Sequence, residues 1–169
     1  MCCQQVLPAA LGPGDTIQSS HHLHLEPVPR MVGQARAFVC EHAPPLPEDT
    51  ADTLQLLTSE LVTNAVLHAR SAIEVGITVG LVSVLVTVHD EDLPHTEQRP
   101  YAQREGGWGL GLVRALAEEW AMELHPGDGK TVWFRLLREG GVPAAPGSAR
   151  RAEPDGAAAA RVWPPPATW

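Results

Sequence analysis

Glu60 and Asn64 stand four residues apart in Thr58-Ser-Glu-Leu-Val-Thr-Asn-Ala-Val-Leu-His-Ala69, a stretch that reads as helix. That spacing puts both side chains on one face, a turn apart. A carboxylate above a carboxamide is a compact set of oxygens suited to a hard cation such as Mg²⁺, which keeps several waters and leans on substrate phosphates. Two further features follow in order: an acidic strand end, Val88-His-Asp90, and a glycine-rich turn opening a helix, Gly106-Gly-Trp-Gly-Leu-Gly-Leu112. Gly107, Gly109 and Gly111 let backbone come close to a phosphate chain, and a helix N-terminus supplies unpaired N–H donors. Leu110 and Leu112 would seat that helix on the core. Each feature has an ordinary explanation alone: a solvated helix face, a solvated strand-end acid, a generic tight turn. Their order along one chain is what gives them weight.

The elements that must hold these residues can be read from periodicity. A long helix is expected over about Glu48 to Ala69, capped by Asp49 or Thr50, with Leu54, Leu57, Leu61, Ala65 and His68 as its buried stripe and Val62 and Val66 widening it. Upstream, His22-Leu-His-Leu-Glu26 alternates as a strand that Pro27 and Pro29 stop. Val28 to Ala43 then carries Val32, Ala35, Phe38 and Val39 at helical spacing, with Cys40 as a small buried hydrophobe. Ala72 to Val79 and Val82 to His89 form a hairpin about Gly80-Leu81. The polar stretch from Asp90 to Gly106, with Pro94 and Pro100, is long for a connection and suits a lid or binding loop. Trp108 to Ala121 returns to helix, with Leu112, Ala115, Leu116 and Trp120 on one side. Met122 to His125 and Lys130 to Leu137 form a second hairpin about Pro126-Gly-Asp-Gly129, with Lys130 solvated at the strand start. The order β-α-α-β-β-loop-α-β-β makes an α+β fold: a two-layer sandwich with a mixed, mostly antiparallel sheet and helices on one face.

Composition bounds the rest. The 169 residues suit one domain, here 22–138, between a flexible tail at 1–21 and a Pro/Ala-rich disordered tail at 139–169. A net charge of -8 with a single lysine argues against direct nucleic-acid binding, which needs clustered cations. Cys2, Cys3 and Cys40 match no zinc spacing, and the eight histidines are scattered. No leader or membrane-length apolar run is visible, so a cytoplasmic protein without membrane contact is expected.

Glu60 and Asn64 on a helix, a strand ending at Asp90, a variable loop, the glycine run at a helix start, and Gly129-Lys-Thr131 together resemble the histidine-kinase-like (Bergerat-fold) ATPases. Within them, Glu60-Leu-Val-Thr-Asn-Ala-Val-Leu-His-Ala69 is most similar to the anti-sigma-factor serine kinases. The resemblance covers roughly Leu23 to Leu137. It implies ATP and Mg²⁺ as cofactors, Asn64 as the Mg²⁺ ligand, and Glu60 as the general base toward an attacking hydroxyl. It further implies Asp90 as acceptor of the adenine amine, Gly107, Gly109, Leu110, Gly111 and Leu112 as the phosphate-binding turn, and Thr131 as a contact near adenine. The implied function is an ATP-binding regulatory protein: a serine/threonine kinase acting on an anti-sigma-factor antagonist, with a sigma factor or that antagonist as partner and homodimerisation as the family's habit. Where the wider superfamily has Asp-x-Gly-x-Gly, this chain reads Asp90-Glu-Asp-Leu-Pro94. That stiffer, more acidic segment favours the alternative, a non-catalytic module that sequesters a sigma factor or other regulator with nucleotide structural or absent.

Overall fold

The computed structural model describes residues 10–12, 14–68, 71–91, 108–125 and 127–138. Five strands and three helices lie among the described residues: β1 Ile17–Leu25, α1 Met31–His42, α2 Glu48–His68, β2 Ile73–Gly80, β3 Ser83–Asp90, α3 Trp108–Leu116, β4 Glu119–His125 and β5 Gly129–Leu137. The strands form one sheet in the order β1-β2-β3-β5-β4, and every neighbouring pair is antiparallel. The sheet expected to be mixed and mostly antiparallel is antiparallel at every pair of these strands; hairpin turns account for β2–β3 and β4–β5.

Strand alternation divides the sheet into two unlike faces. Val75, Ile77, Val84, Val86, Val132 and Phe134 point to the helical side, where they join Ala35 and Val39 of α1, Leu54, Leu57, Leu61 and Ala65 of α2, and Val113 of α3 in one buried core. The opposite side is more polar. There Leu85 and Trp133 are capped by Ala10 and Leu11, which precede β1. The helices therefore form a single layer over one face, the two-layer α+β sandwich expected.

Helix boundaries follow from proline and local hydrogen bonds. α1 ends at Ala43, whose N–H bonds to the Val39 carbonyl, and Pro44 and Pro45 stop continuation. The first hydrogen bond of α2 runs from the Ala51 N–H to the Pro47 carbonyl, so the helix starts two or three residues earlier than a cap at Asp49 or Thr50 would give. Glu48 and Asp49 instead sit in the first turn, where negative charge complements the helix dipole.

Several boundaries differ from the sequence reading. β1 starts at Ile17, inside the segment expected as a tail, because Ile17 to Leu25 pairs along the whole of β2. The hairpin turn is Leu81-Val82, so Gly80 belongs to β2. α3 stops at Leu116, and Trp120 and Ala121 lie in β4, paired with Phe134 and Trp133. Cys40 is exposed, since Val39 takes the inward position and the next residue is about 100° further round the helix.

The N-terminal approach to β1 is clasped onto the β2–β3 turn by Asp15. Its carboxylate accepts from the Ser83 hydroxyl at 2.5 Å and the Val82 N–H at 3.1 Å, while the Leu81 N–H donates to the Thr16 carbonyl at 3.0 Å. A side chain at Gly80 would strike this carboxylate. Burial acts to raise the Asp15 carboxyl's pKa, but the Ser83 hydroxyl and the backbone N–H groups of Val82, Thr16 and Leu81 outweigh it, holding the group below its ordinary 3.8. A depressed carboxyl stabilises the fold above that ordinary value and loses the contribution as pH falls through the folded value. Asp15→Ala should thus cost about 1–2 kcal/mol at neutral pH, allowing for part exposure. In urea unfolding followed by circular dichroism, the gap from wild type should narrow as the pH is taken progressively below 3.8.

Candidate functional site

Chain direction brings the predicted elements to one end of the molecule. α2 runs toward His68, and the chain enters β2 at Ile73, which pairs with Asp90 at the end of β3. β5 starts there too, with Lys130 opposite Asp90. α3 leads into β4, which starts opposite Arg135 at the far end of β5, so the first turn of α3 lies toward the Asp90 end. α2 packs against α3, β3 and β5. The last third of α2, the end of β3, the start of β5 and the opening of α3 therefore share one rim of the sandwich.

On α2, Leu61, Val62 and Ala65 are buried, whereas Glu60 and Asn64 are half-buried beside them. Thr58 is fully buried and its hydroxyl bonds back to the Leu54 carbonyl at 2.7 Å, which satisfies it within the helix. This turn of the helix is held by the core, and its two oxygen-bearing side chains sit at the core's edge, still reachable from solvent. Among the described residues no cluster of three His, Cys, Asp or Glu could hold a metal ion alone. A carboxamide oxygen with a carboxylate one turn away is a donor set that a hard cation such as Mg²⁺ would fit.

Asp90 is 2% exposed and points to the helical side, following Val86 and Val88 along β3. Its Oδ1 accepts from Lys130 Nζ at 2.7 Å, and both side chains are almost fully buried. The sequence placed Lys130 in solvent at a strand start; the structure corrects this. Lys130 alternates with Val132 and Phe134, so it faces inward, where its register partner's carboxylate compensates the buried ammonium.

Gly129, one residue earlier, fixes this corner. It takes φ +97°, and a Cβ there would run into the Asp90 carbonyl and the Glu91 backbone. Close backbone contact at Gly129 holds the Asp90–Lys130 rung in place.

Thr131 does not join these residues. Strand alternation turns it to the opposite sheet face, where its Oγ1 lies 3.1 Å from His89 Nδ1 and 2.9 Å from His125 Nε2. The apolar alternation Val132-Phe134-Leu136 already carried that information, since it assigns even-numbered positions of β5 to the core. On the α3 side, Leu110 and Leu112 are half-buried against the core, Gly111 is exposed, and Gly109 lies within the helix. Leu116, expected on the packed side, is exposed, and Val113 takes the inward place. Gly107 and the loop with Pro94 and Pro100 lie outside the described residues. A separate cleft, lined by Pro45, Leu81, Val82, Leu137 and Arg138, lies at the other end of the sheet, away from this chemistry.

The sequence model of the histidine kinase-like ATPase domain matches residues 25–136, from the end of β1 to the last turnings of β5. Among curated proteins, none matches the chain.

The corner at Gly129 has a direct test. Gly127, in the same turn at φ +83°, meets nothing within 4 Å, so Gly127→Ala should cost only the conformational penalty of about 1 kcal/mol. Gly129→Ala adds a backbone collision and should cost clearly more, about 3 kcal/mol, as read by denaturant midpoints at constant m-value.

Proposed function

We infer the role of this chain from its family: it belongs to the histidine kinase-like ATPase domain family, a membership that supports an ATP-binding regulatory function. We propose, more finely, a Mg-ATP-dependent serine kinase of the anti-sigma type that phosphorylates an antagonist protein. The observation that supports this reading is the chain direction that brings the C-terminal part of α2, which carries Asn64, to the same end of the sandwich as Asp90 and the start of β5, with α2 packed on α3.

The chain's own groups divide the work. Asn64 offers a carboxamide oxygen to a Mg²⁺ ion arriving with the nucleotide, and that ion would supply charge neutralisation on the phosphates. Glu60, one turn earlier and half-buried, is placed to accept the proton of an incoming serine hydroxyl. Asp90 supplies the acceptor that a purine 6-amino group requires. The N–H groups that open α3 are donors for a phosphate chain. A sigma factor or its antagonist as partner, and a second copy of this chain, belong to the same proposal, as does action in the cytoplasm. Among the described residues no helix is long and apolar enough to cross a membrane.

A second reading is a non-catalytic module that sequesters a regulator, and one observation favours it: the carboxylate meant for the base is already engaged by Lys130. The two readings separate on phosphate transfer. With labelled ATP and candidate antagonist proteins, Glu60→Gln should lower transfer by about 10²–10⁴-fold while leaving ATP binding unchanged. Asn64→Ala should abolish the Mg²⁺ dependence of ATP-induced thermal stabilisation. Undiminished binding with no transfer by the wild type would favour the module.

A further inference from the structure

Asp90 and Lys130 are opposed on adjacent strands, both aimed into the helical side, with side chains 3% and 5% exposed and Nζ 2.7 Å from Oδ1. In so dry a place a charge-assisted contact is strong, and breaking it is costly. The purine amine proposed for Asp90 would seek the same acceptor with a neutral, weaker donor. The backbone cannot yield to admit it, because the Asp90 carbonyl rests against Gly129. What can move is the four-carbon lysine stem.

We propose that Lys130 is a latch over the base-reading carboxylate. It holds Asp90 in the nucleotide-free protein and must be displaced by the 6-amino group of the incoming purine. Lys130 thereby sets the affinity for ATP low and blunts the selection of adenine over purines lacking that amine. This rests on the nucleotide reading of Asp90 and makes Lys130 a specificity-determining residue of the same site.

The full-length chain can be titrated with Mg-ATP and with Mg-purine-riboside triphosphate, which lacks the 6-amino group, in wild-type and Lys130→Thr forms. The latch predicts that wild type binds the two nearly alike, while Lys130→Thr binds ATP about tenfold more tightly and gains a preference for it over the analogue. Unchanged or weaker ATP binding in Lys130→Thr, or a wild type that already rejects the analogue, would overturn it. So would a wild type that prefers a 6-carbonyl purine triphosphate, since the ammonium would then be staying to bind the base.

A second measurement needs no variant. Lys130 is the only lysine in the chain, so an amine-acylating reagent followed by peptide mass spectrometry reports on it alone beside the α-amine. Saturating Mg-ATP should accelerate acylation at Lys130; labelling that is unchanged or slowed overturns the latch even if Lys130→Thr does not fold. ATP binding by wild type without these effects removes the latch and leaves the nucleotide reading standing. No ATP binding by either form removes both.

Discussion

The burial of one sheet face beneath three helices is the constraint on which the rest of this structure depends. Because strand side chains alternate, choosing the apolar face of β2, β3 and β5 also chooses the side of every polar residue among them. Asp90 faces the helices because Val86 and Val88 do, and Lys130 because Val132 does. The ion pair is thus a by-product of core register. A one-residue slip between β3 and β5 would separate the two charges and turn the apolar run to the polar face at once, which makes the pairing unusually well specified.

Much of this was legible in the sequence, and the failures have local causes. β2 and β3 announce themselves by dense Val and Ile, and α2 by its Leu stripe. The first residues of β1 do not, because Ile17-Gln-Ser-Ser forms an edge strand whose partner lies more than fifty residues away. Trp120 lies four residues after Leu116, so it fits a continuing helix, but it also alternates with Met122, and the strand period won through pairing with Phe134. The rim of the candidate site was readable as a succession of motifs. The alternation of β5 also turns Lys130 inward, but what compensates its charge there was not readable, since that is a carboxylate forty positions earlier in the chain.

The same pair links stability to the proposed chemistry. A buried ion pair adds little net stability over an apolar substitute, yet removing one partner typically costs about 3–5 kcal/mol. Family membership supports nucleotide binding, and in that setting an inward lysine looks costly for function. Its place beside the Gly129 corner gives a division of labour: backbone geometry is fixed by a turn that only glycine fits, and the adjustable part is one long side chain.

The Asp15 clasp has a consequence for how the molecule assembles. Its bonds to Val82 and Ser83 join groups 67 and 68 positions apart, and β1 likewise waits for β2. Closing so large a loop carries an entropic cost that only a preformed hairpin can offset, so high contact order defers this contact. During synthesis the N-terminal segment must therefore remain undocked until the hairpin has emerged, and Leu85 and Trp133 stay open to water until it closes over them.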